Sequence, residues 1–491
     1  MKNFFCILLV LSVHGWAFAQ AQLGLRLENY AGVSSMALNP ATHLAGPLRW
    51  DVNLAGAGLF FDNNYAYITG TNSFNLLNNA EDSEFFLAQS DQITIPSNAY
   101  MIDFYNDDFK RFFSARTFVA GPSLMVKIGE NHSVGFFTNV RMEVSSLNFP
   151  NELSYYKYDL QPQLEPFFVR PFSGALISWA EIGLNYGVRI PVQAGYMGFG
   201  INLKYLAGYE GGYIENHQQW VHTKLPNDTA IIRQAYGGYG FTFSNLKEKD
   251  WKVVRNGKGF GVDLGFLYVI EAYEGSYKWR LGASLLDIGA IRFDRNAQSH
   301  TVRNNSSFHL TLRDYDDFQL PGEWEALLRH FSSQATGDSL ASFSANNFTV
   351  ALPAALSLQA DYSFNENIFL NALVIHHLPT GAVSPQRGTV VALTPRYEHE
   401  WFSVSFPVSL LNWQKVRMGF AARLGYLVVG SDNLGSLLGH SKYSGTDIYA
   451  ALKLNRIRFG GGWQLFGGKL FGGEAKTDYH RRRGKVKCYD F

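Results

Sequence analysis

Hydrophobic and polar residues alternate strictly in several separate segments of this chain. In the segment SVGFFTNVRMEVSS, Val140 and Met142 alternate with Asn139 and Arg141. Because successive side chains of a β-strand point to opposite faces, each such segment has one apolar face and one polar or Gly-rich face. The same period recurs in four further segments, at 180–190, 199–210, 260–268 and 356–362. The pattern therefore predicts an all-β protein.

The alternation is also typical of soluble β-sandwiches, but three features favour a membrane barrel. The apolar faces are large and aromatic almost throughout, and the opposing faces contain much Gly, which a soluble surface does not require. Aromatic residues make up 15% of the chain and charged residues only 17%, against a usual charged fraction of about a quarter. We therefore predict a transmembrane antiparallel β-barrel, whose strands average to moderate hydropathy.

The first residues are typical of a secretory signal peptide. One Lys precedes an apolar run, and Ala17 and Ala19 form an A-x-A cleavage site, so that we expect residues 1–19 to be removed. Cleavage after Ala21 is the alternative. Cys6 would be lost with this segment, and Cys488 alone gives no disulfide framework. No later run of about 18 apolar residues predicts a transmembrane helix.

The spacing of the segments predicts about fourteen strands in one barrel over 49–466. A segment at 20–48, too short to fold alone, is expected to form a plug inside the barrel, and 467–491 a basic tail. Tight turns alternate with long polar stretches, so we expect a periplasmic N-terminus and extracellular long loops. The expected strands are 49–69, 116–128, 132–147, 177–190, 197–213, 257–270, 277–294, 347–363, 367–378, 387–398, 400–411, 415–429 and 443–455, with 457–466 as a further candidate.

Charged residues fall on the polar faces of these segments. An unpaired charge facing lipid costs a few kcal/mol at mid-bilayer, so these side chains should face the lumen, where opposite signs can pair across strands. A stiffening interior network and a polar channel both fit this pattern. On the same grounds, Leu184→Arg should hinder insertion and Asn185→Arg should be tolerated. The predicted lumen-facing charges are Arg141, Glu143, Glu181, Arg189, Lys204, Glu210, Asp263 and Asp361.

Candidate catalytic and metal-binding groups are weak. The pair His376-His377 is more typical of a polar rim, and Glu398 and Glu400 fall at a tight turn, where solvated charge is usual. The Asp-rich stretch 313–320 lacks the Gly turn and distal Glu of an EF-hand loop. We therefore assign no catalytic residue, metal or cofactor. Lys plus Arg (42) balances Asp plus Glu (41), which gives no basic surface for nucleic acid.

A further set of residues resembles the FadL superfamily of outer-membrane barrels. Asn39, Pro40 and Ala41 match an Asn-Pro-Ala element near the mature N-terminus of its members. The stretches 121–141 and 352–374 resemble hairpins of such proteins. The stretch 430–453 is similar to the end of an uncharacterised branch, a domain of unknown function related to PorV. The resemblance implies a barrel of about fourteen strands with an N-terminal plug.

Two functions follow from this resemblance. PorV-like barrels dock other outer-membrane or periplasmic proteins, which implies a scaffold or accessory subunit of a secretion or assembly complex. FadL itself implies passive transport of a hydrophobic small molecule. In either case we expect a non-enzymatic protein that contacts outer-membrane lipid. The FadL ligand residues have no position-by-position match in this chain.

Overall fold

The computed structural model describes residues 21–79, 83–88, 99–244, 253–272, 277–315, 318, 323–381, 383–439, 442–455, 463–465 and 468–471. The predicted signal peptide, 1–19, lies outside the described residues, and so does the predicted tail, 467–491, except for 468–471.

Fourteen antiparallel strands form a closed barrel, because the first strand pairs with both the second and the last. The predicted antiparallel β-barrel of about fourteen strands is confirmed. Four of the fourteen strands are each interrupted once. Barrel strands 1 to 14, in chain order, are Trp50–Asn63, Arg111–Ala120 with Ser123–Ile128, His132–Phe149, Phe172–Val192, Gly195–Asn216, Gly257–Glu271, Tyr277–Phe293, Phe348–Ala351 with Ala355–Ser363, Ile368–His377, Val390–Glu398, Phe402–Ser405 with Val408–Leu411, Lys415–Met418 with Phe420–Leu424, Leu427–Ser431 and Gly445–Leu454.

Two strand predictions were wrong. The predicted strand 49–69 leaves the barrel after Asn63, and Ala66–Thr69 belongs to a separate sheet. The segment 415–429 is two strands joined by a tight hairpin, in which Leu424 pairs with Leu427 and Gly425 takes a φ of 58°. Glycine reaches this left-handed conformation without a steric penalty. The extra reversal brings the strand number to fourteen. It also places the long connection at 432–444 at the same end of the barrel as the other long loops.

Strands outside the barrel extend its long-loop end. A mixed sheet contains Ala66–Thr69, Glu84–Leu87, Ala99–Phe104 and Lys442–Tyr443. Barrel strand 5 continues into an extension made of Pro166–Val169, Trp220–Leu225, Thr229–Thr242, Ala297–Thr311 and Phe343–Ala345. Trp463–Leu465 and Gly468–Phe471 form a separate hairpin.

Helices are few and short. The α-helices are Leu23–Arg26, Ser73–Asn79, Tyr155–Asp159, Trp324–Thr336 and Leu434–Leu438, and the 3₁₀ helices are Gly32–Ala37, Thr42–Ala45, Asn151–Leu153 and Leu312–Tyr315. Within the described part of the chain, none of these helices has the length and apolar character needed to cross a membrane.

The two faces of the barrel wall differ as the alternation predicts. On barrel strand 4, Ile182 and Leu184 are 53% and 60% exposed and point outward, whereas Glu181 and Asn185 are buried. Outward aromatic pairs lie on either side of this band, Phe199 with Phe266 and Tyr205 with Phe260. Such aromatic rows are typical of the two membrane interfaces.

Candidate functional site

Residues 21–48, here called the N-terminal segment, lie against the inward-facing side chains of the barrel. Near the long-loop end, the amide of Leu23 donates to the Asp432 carboxylate at 3.1 Å. Near the short-turn end, the Lys127 ammonium donates to the carbonyl oxygen of Gly46 at 2.6 Å. The segment therefore runs through the lumen from one end towards the other.

The Asn39-Pro40-Ala41 element contacts the wall at two inward glycines. Asn39 is fully buried, and its Nδ2 donates to the carbonyl oxygen of Phe266 at 3.0 Å while its Oδ1 accepts from the Ala41 amide at 2.9 Å. A Cβ at Gly200 would lie 2.4 Å from the Pro40 carbonyl carbon, and one at Gly265 would lie 2.3 Å from Asn39 Oδ1. The Gly-rich inner face therefore makes room for the segment.

Asn39→Ala is expected to loosen the N-terminal segment, because it removes a buried donor and leaves backbone acceptors without their partner. Such a loss costs about 1–3 kcal/mol. Amide hydrogen exchange of peptides covering 21–48 in the purified protein should become faster. Asn79→Ala, at the exposed last residue of the helix Ser73–Asn79, is the matched control and should leave exchange unchanged. Equal exchange in both variants would contradict the assigned role of Asn39.

His43 holds the part of the N-terminal segment nearer the short-turn end. Its Nε2 lies 2.6 Å from Ser133 Oγ on barrel strand 3, and the ring is 2% exposed. Burial, with a smaller effect from Lys127, lowers the pKa of His43 to about 3. The imidazole is therefore neutral at ordinary pH and acts as a hydrogen-bonding anchor.

A network of buried charges, here called the central network, surrounds Asp287 in the part of the lumen nearer the long-loop end. This carboxylate accepts from Arg141 at 2.8 Å and Lys204 at 2.5 Å, and it also pairs with Arg387. Lys204 additionally pairs with Asp263 at 2.7 Å. Burying several ions is costly unless each is paired, and here each of these charges has at least one partner of opposite sign.

A second cluster surrounds Asp361 near the short-turn end. Asp361 pairs with Arg280 and with Arg396, the latter at 2.6 Å, and Arg396 also pairs with Glu398. Glu398 accepts from the Asn29 amide at 3.0 Å and is 2% exposed. The interpretation of Glu398 as solvated charge was therefore wrong, because it binds the N-terminal segment.

The predicted lumen charges divide into two groups. Glu143, Glu181, Lys204, Asp263 and Asp361 lie buried in these two clusters, and Arg141 joins them with a side chain that is 11% exposed. Arg189 instead pairs with Glu271 at 2.9 Å near the short-turn end, where both are partly exposed. Glu210 accepts from Ser244 Oγ at 3.1 Å at the opposite end.

Several members of the clusters were missed. Arg116 pairs with Glu143 at 3.0 Å, and its inward position follows the alternation of barrel strand 2. Arg387 lies in the connection at 378–389, where no strand period applies. Arg423 also belongs to the lumen-facing charges by alternation, but its partner Glu28 of the N-terminal segment, at 2.9 Å, is far away in sequence and was not predicted. The alternation of barrel strand 2 was enough to predict Arg116, whereas no pattern predicts Arg387.

A cavity of about 80 Å³ lies between the N-terminal segment and the wall beside barrel strand 2. Its lining includes Asn53, Gly56, Ala120 and Ser123. An apolar cavity of about 150 Å³ is known to hold benzene. In this arrangement, the volume of the cavity is therefore too small to hold an aromatic ring.

The wall is interrupted next to this cavity. Barrel strand 1 pairs with strand 2 up to Gly56 opposite Ala120, and pairing resumes at Asn53 opposite Ser123. The intervening Pro122 has no N–H to donate, which is why proline breaks a strand ladder. A short stretch of strands 1 and 2 is therefore unpaired where the lumen holds open space.

The described residues contain no group of three His, Cys, Asp or Glu side chains arranged to hold a metal ion. The buried carboxylates of the two clusters instead have arginine and lysine partners. The two charge clusters bind the N-terminal segment to the barrel wall and fill space in the lumen.

Comparison with known proteins places the chain in a family. Residues 58–432 match the family of unknown function DUF5723. Comparison with curated proteins gives no match. The match confirms the predicted uncharacterised branch.

Similar solved structures are outer-membrane barrels. The toluene transporter TbuX of Ralstonia pickettii shares 10% identity over 86% of this chain and 93% of its own, with a TM-score of 0.33. The toluene transporter TodX of Pseudomonas putida shares 11% over 89% and 94%, with a TM-score of 0.32. A Pseudomonas aeruginosa FadL homologue shares 9% over 86% and 94%, with a TM-score of 0.23. The chain itself, with most of its length matched, belongs to the DUF5723 family.

Proposed function

We propose that this barrel passes small hydrophobic molecules passively between its lumen and the surrounding lipid. The observation that carries the proposal is the interrupted pairing at Gly121-Pro122, directly beside the cavity lined by Gly56 and Ala120. A gap opening between the two strands there would join the lumen space to hydrocarbon. A solute using it need not enter water, which favours apolar molecules over polar ones.

Passage requires the cavity to enlarge beyond its volume of about 80 Å³. Apart from this short interruption, the wall strands are joined by long ladders of hydrogen bonds, whereas the N-terminal segment is held by separate anchors at Asn39, His43 and Glu28. We propose that the segment acts as a plug and that its displacement enlarges the cavity. The barrel itself would keep its shape.

The proposed orientation follows the lengths of the connections. Short turns such as 129–131 and 425–426 lie at one end, and the sheet and extension strands lie at the other. In outer-membrane barrels the short turns are periplasmic and the long loops extracellular. The N-terminal end of barrel strand 1 is then periplasmic, and the extension faces the exterior.

Uptake by cells tests the transport proposal. A deletion strain should take up a radiolabelled monoaromatic or long-chain solute more slowly than wild type, and the intact gene should restore the rate. Ala120→Trp fills the cavity side of barrel strand 2 and should abolish the restoration. Ala115→Trp, on the lipid-facing side of the same strand, is the matched control and should restore uptake.

The amount of folded barrel in the outer membrane must be equal for both variants. Equal uptake by the Ala120→Trp and Ala115→Trp strains would contradict passage beside barrel strand 2. Uptake that is unaffected by deletion would contradict the transport function as a whole.

A scaffold role is the second candidate, and exposed apolar residues at the long-loop end favour it. Leu160, Leu164 and Phe168 are 71%, 69% and 60% exposed in or beside the extension. Isolation of the protein from gently solubilised membrane should then recover a partner protein in a fixed ratio. Recovery of the barrel alone would count against this role.

A further inference from the structure

Arg26 is a cation in the lumen that forms no ion pair within the part of the chain that the structure describes. It lies on the N-terminal segment, lines the cavity, and its guanidinium carbon is 5.3 Å from the centroid of the Phe118 ring. Among the described residues, no carboxylate lies within ion-pair distance of it. Burial, followed by the repulsion of Arg141, Arg387 and Arg116, lowers the pKa of Arg26, and the carboxylate of Asp432 opposes this shift. On balance the surroundings disfavour its positive charge, which a bound anion would stabilise.

The charges that surround the cavity do not balance. The described cations outnumber the described carboxylates by one when Glu143, which pairs with two of the lining arginines, is included. Arg116, Arg141, Lys204 and Arg387 each have a carboxylate partner, so Arg26 carries the excess. The lining cations are Arg26, Arg116, Arg141, Lys204 and Arg387, and the carboxylates are Glu143, Glu181, Asp263 and Asp287.

Unused hydrogen-bond donors at the same cavity are an independent observation. Gln22 is fully buried and lines the cavity, yet neither atom of its side-chain amide has a partner among the described residues. The Nε of Arg387 is buried and has no partner in the same part of the chain. Buried donors without partners are rare, and each is costly. A bound group that accepts hydrogen bonds would satisfy them.

We infer that this cavity binds one small oxyanion, of the size of formate or nitrate, between the N-terminal segment and the wall. A volume of about 80 Å³ is too small for an aromatic ring but suits such an ion. Charge-assisted hydrogen bonds from guanidinium groups to oxyanions are short and strong. The anion neutralises Arg26 and joins it to Arg116 and Arg387 of the barrel.

The inference concerns the same cavity as the proposed transport function but rests on the charged part of its lining, and its test measures no uptake, so that failure of one can be told from failure of the other. The purified full-length protein in detergent is followed by hydrogen exchange of peptides covering 21–31. Sodium formate is titrated against sodium gluconate, whose anion is too large for the cavity, at constant ionic strength. At formate about ten times its dissociation constant, exchange through segment release should slow roughly tenfold, since only the seated segment binds the anion.

Arg26→Gln removes the excess charge and should abolish the dependence on formate. Arg26→Lys keeps a cation and should retain a weaker dependence. Arg329→Gln removes a cation from an exposed helix, where the side chain is 53% exposed, and should respond as the wild type does.

Two results would overturn the inference. The first is an exchange rate of the wild type that does not respond to formate. The second is an equal response in wild type and Arg26→Gln, which would show a general salt effect. If Arg26 only packs against Phe118, Arg26→Gln would speed exchange by one factor in both salts while keeping the formate response.

Discussion

Asp287→Asn is expected to lower the free energy of unfolding by about 3–5 kcal/mol, the usual cost of breaking a buried ion pair by removing one partner. The side chain is 2% exposed and pairs with Arg141, Lys204 and Arg387. The neutral amide leaves these largely buried cations with fewer opposite charges. Urea unfolding of the barrel in lipid vesicles, followed by tryptophan fluorescence, measures the loss.

Asp108→Asn is the matched control for this prediction. Its carboxylate is 92% exposed and pairs with Lys157 on the surface of the long-loop end. The midpoint of unfolding should not change measurably in this variant. If Asp287→Asn and Asp108→Asn unfold at the same urea concentration, the central network does not stabilise the barrel.

Leu184→Arg is expected to destabilise the inserted barrel by about 2–4 kcal/mol, the cost of a cation on the lipid face at mid-bilayer. Leu184 pairs in register with Leu203, which lies between the aromatic rows that contain Phe199 and Tyr205, four residues from the first and two from the second. The guanidinium would therefore lie in hydrocarbon between the two rows. Folding into vesicles as a function of urea gives the free-energy difference.

Ile190→Arg supplies the control on the same face of the same strand. Ile190 pairs with Met197, which lies on the short-turn side of the aromatic row that contains Phe199. The guanidinium of an Arg at position 190 can therefore reach the membrane interface. The cost there should be only about 0–1 kcal/mol. Equal effects at Leu184 and Ile190 would mean that the membrane does not lie between the two aromatic rows.

The structure revises the expectation for Asn185→Arg. Asn185 faces inward, as its place in the alternation indicates, but its Nδ2 donates to Asn202 at 2.7 Å and to the Pro40 carbonyl oxygen at 3.2 Å. An Arg at this position would enter space that the N-terminal segment occupies. We now expect the variant to displace the segment, because an inward position beside that segment has no room for a longer side chain.

The alternation of apolar and polar residues predicted most of the barrel wall, because successive side chains of each strand face lipid and lumen in turn. It failed between residues 415 and 429, where apolar residues continue through the reversal and only Gly425 signals a turn. A hairpin this tight leaves almost no polar stretch to interrupt the pattern. The long connection at 432–444 was the other sign that a strand was missing.

Asp287 was missed for a different reason. Leu285 faces outward, so strict alternation would place Asp287 outward as well. The register between barrel strands 6 and 7 shifts between Val262 and Leu264, and Asp287 has a φ of 54°. This β-bulge turns two successive residues, Leu286 and Asp287, inward. A period-two pattern cannot anticipate such a shift.

The Asn-Pro-Ala element was identified from its resemblance to the FadL superfamily. The wall residues that it contacts could not be predicted from the sequence. The inward glycines at 200 and 265 were visible as a small-residue face, but nothing in the sequence pairs them with Pro40 or Asn39. That pairing joins residues more than 150 positions apart. Contacts of this kind depend on the closed shape of the barrel, which no local pattern encodes.

Closure of the barrel sets the order of assembly. The seam forms where Val52 pairs with Leu454, so the ring stays open until nearly the whole chain is available. Residues 21–48 are synthesised before any strand, yet strands from every part of the wall enclose them. Their enclosure and the sealing of the seam are therefore coupled. Pairings between distant parts of a chain form slowly, so a half-built wall must keep its hydrophilic inner surface hydrated until the last strand arrives.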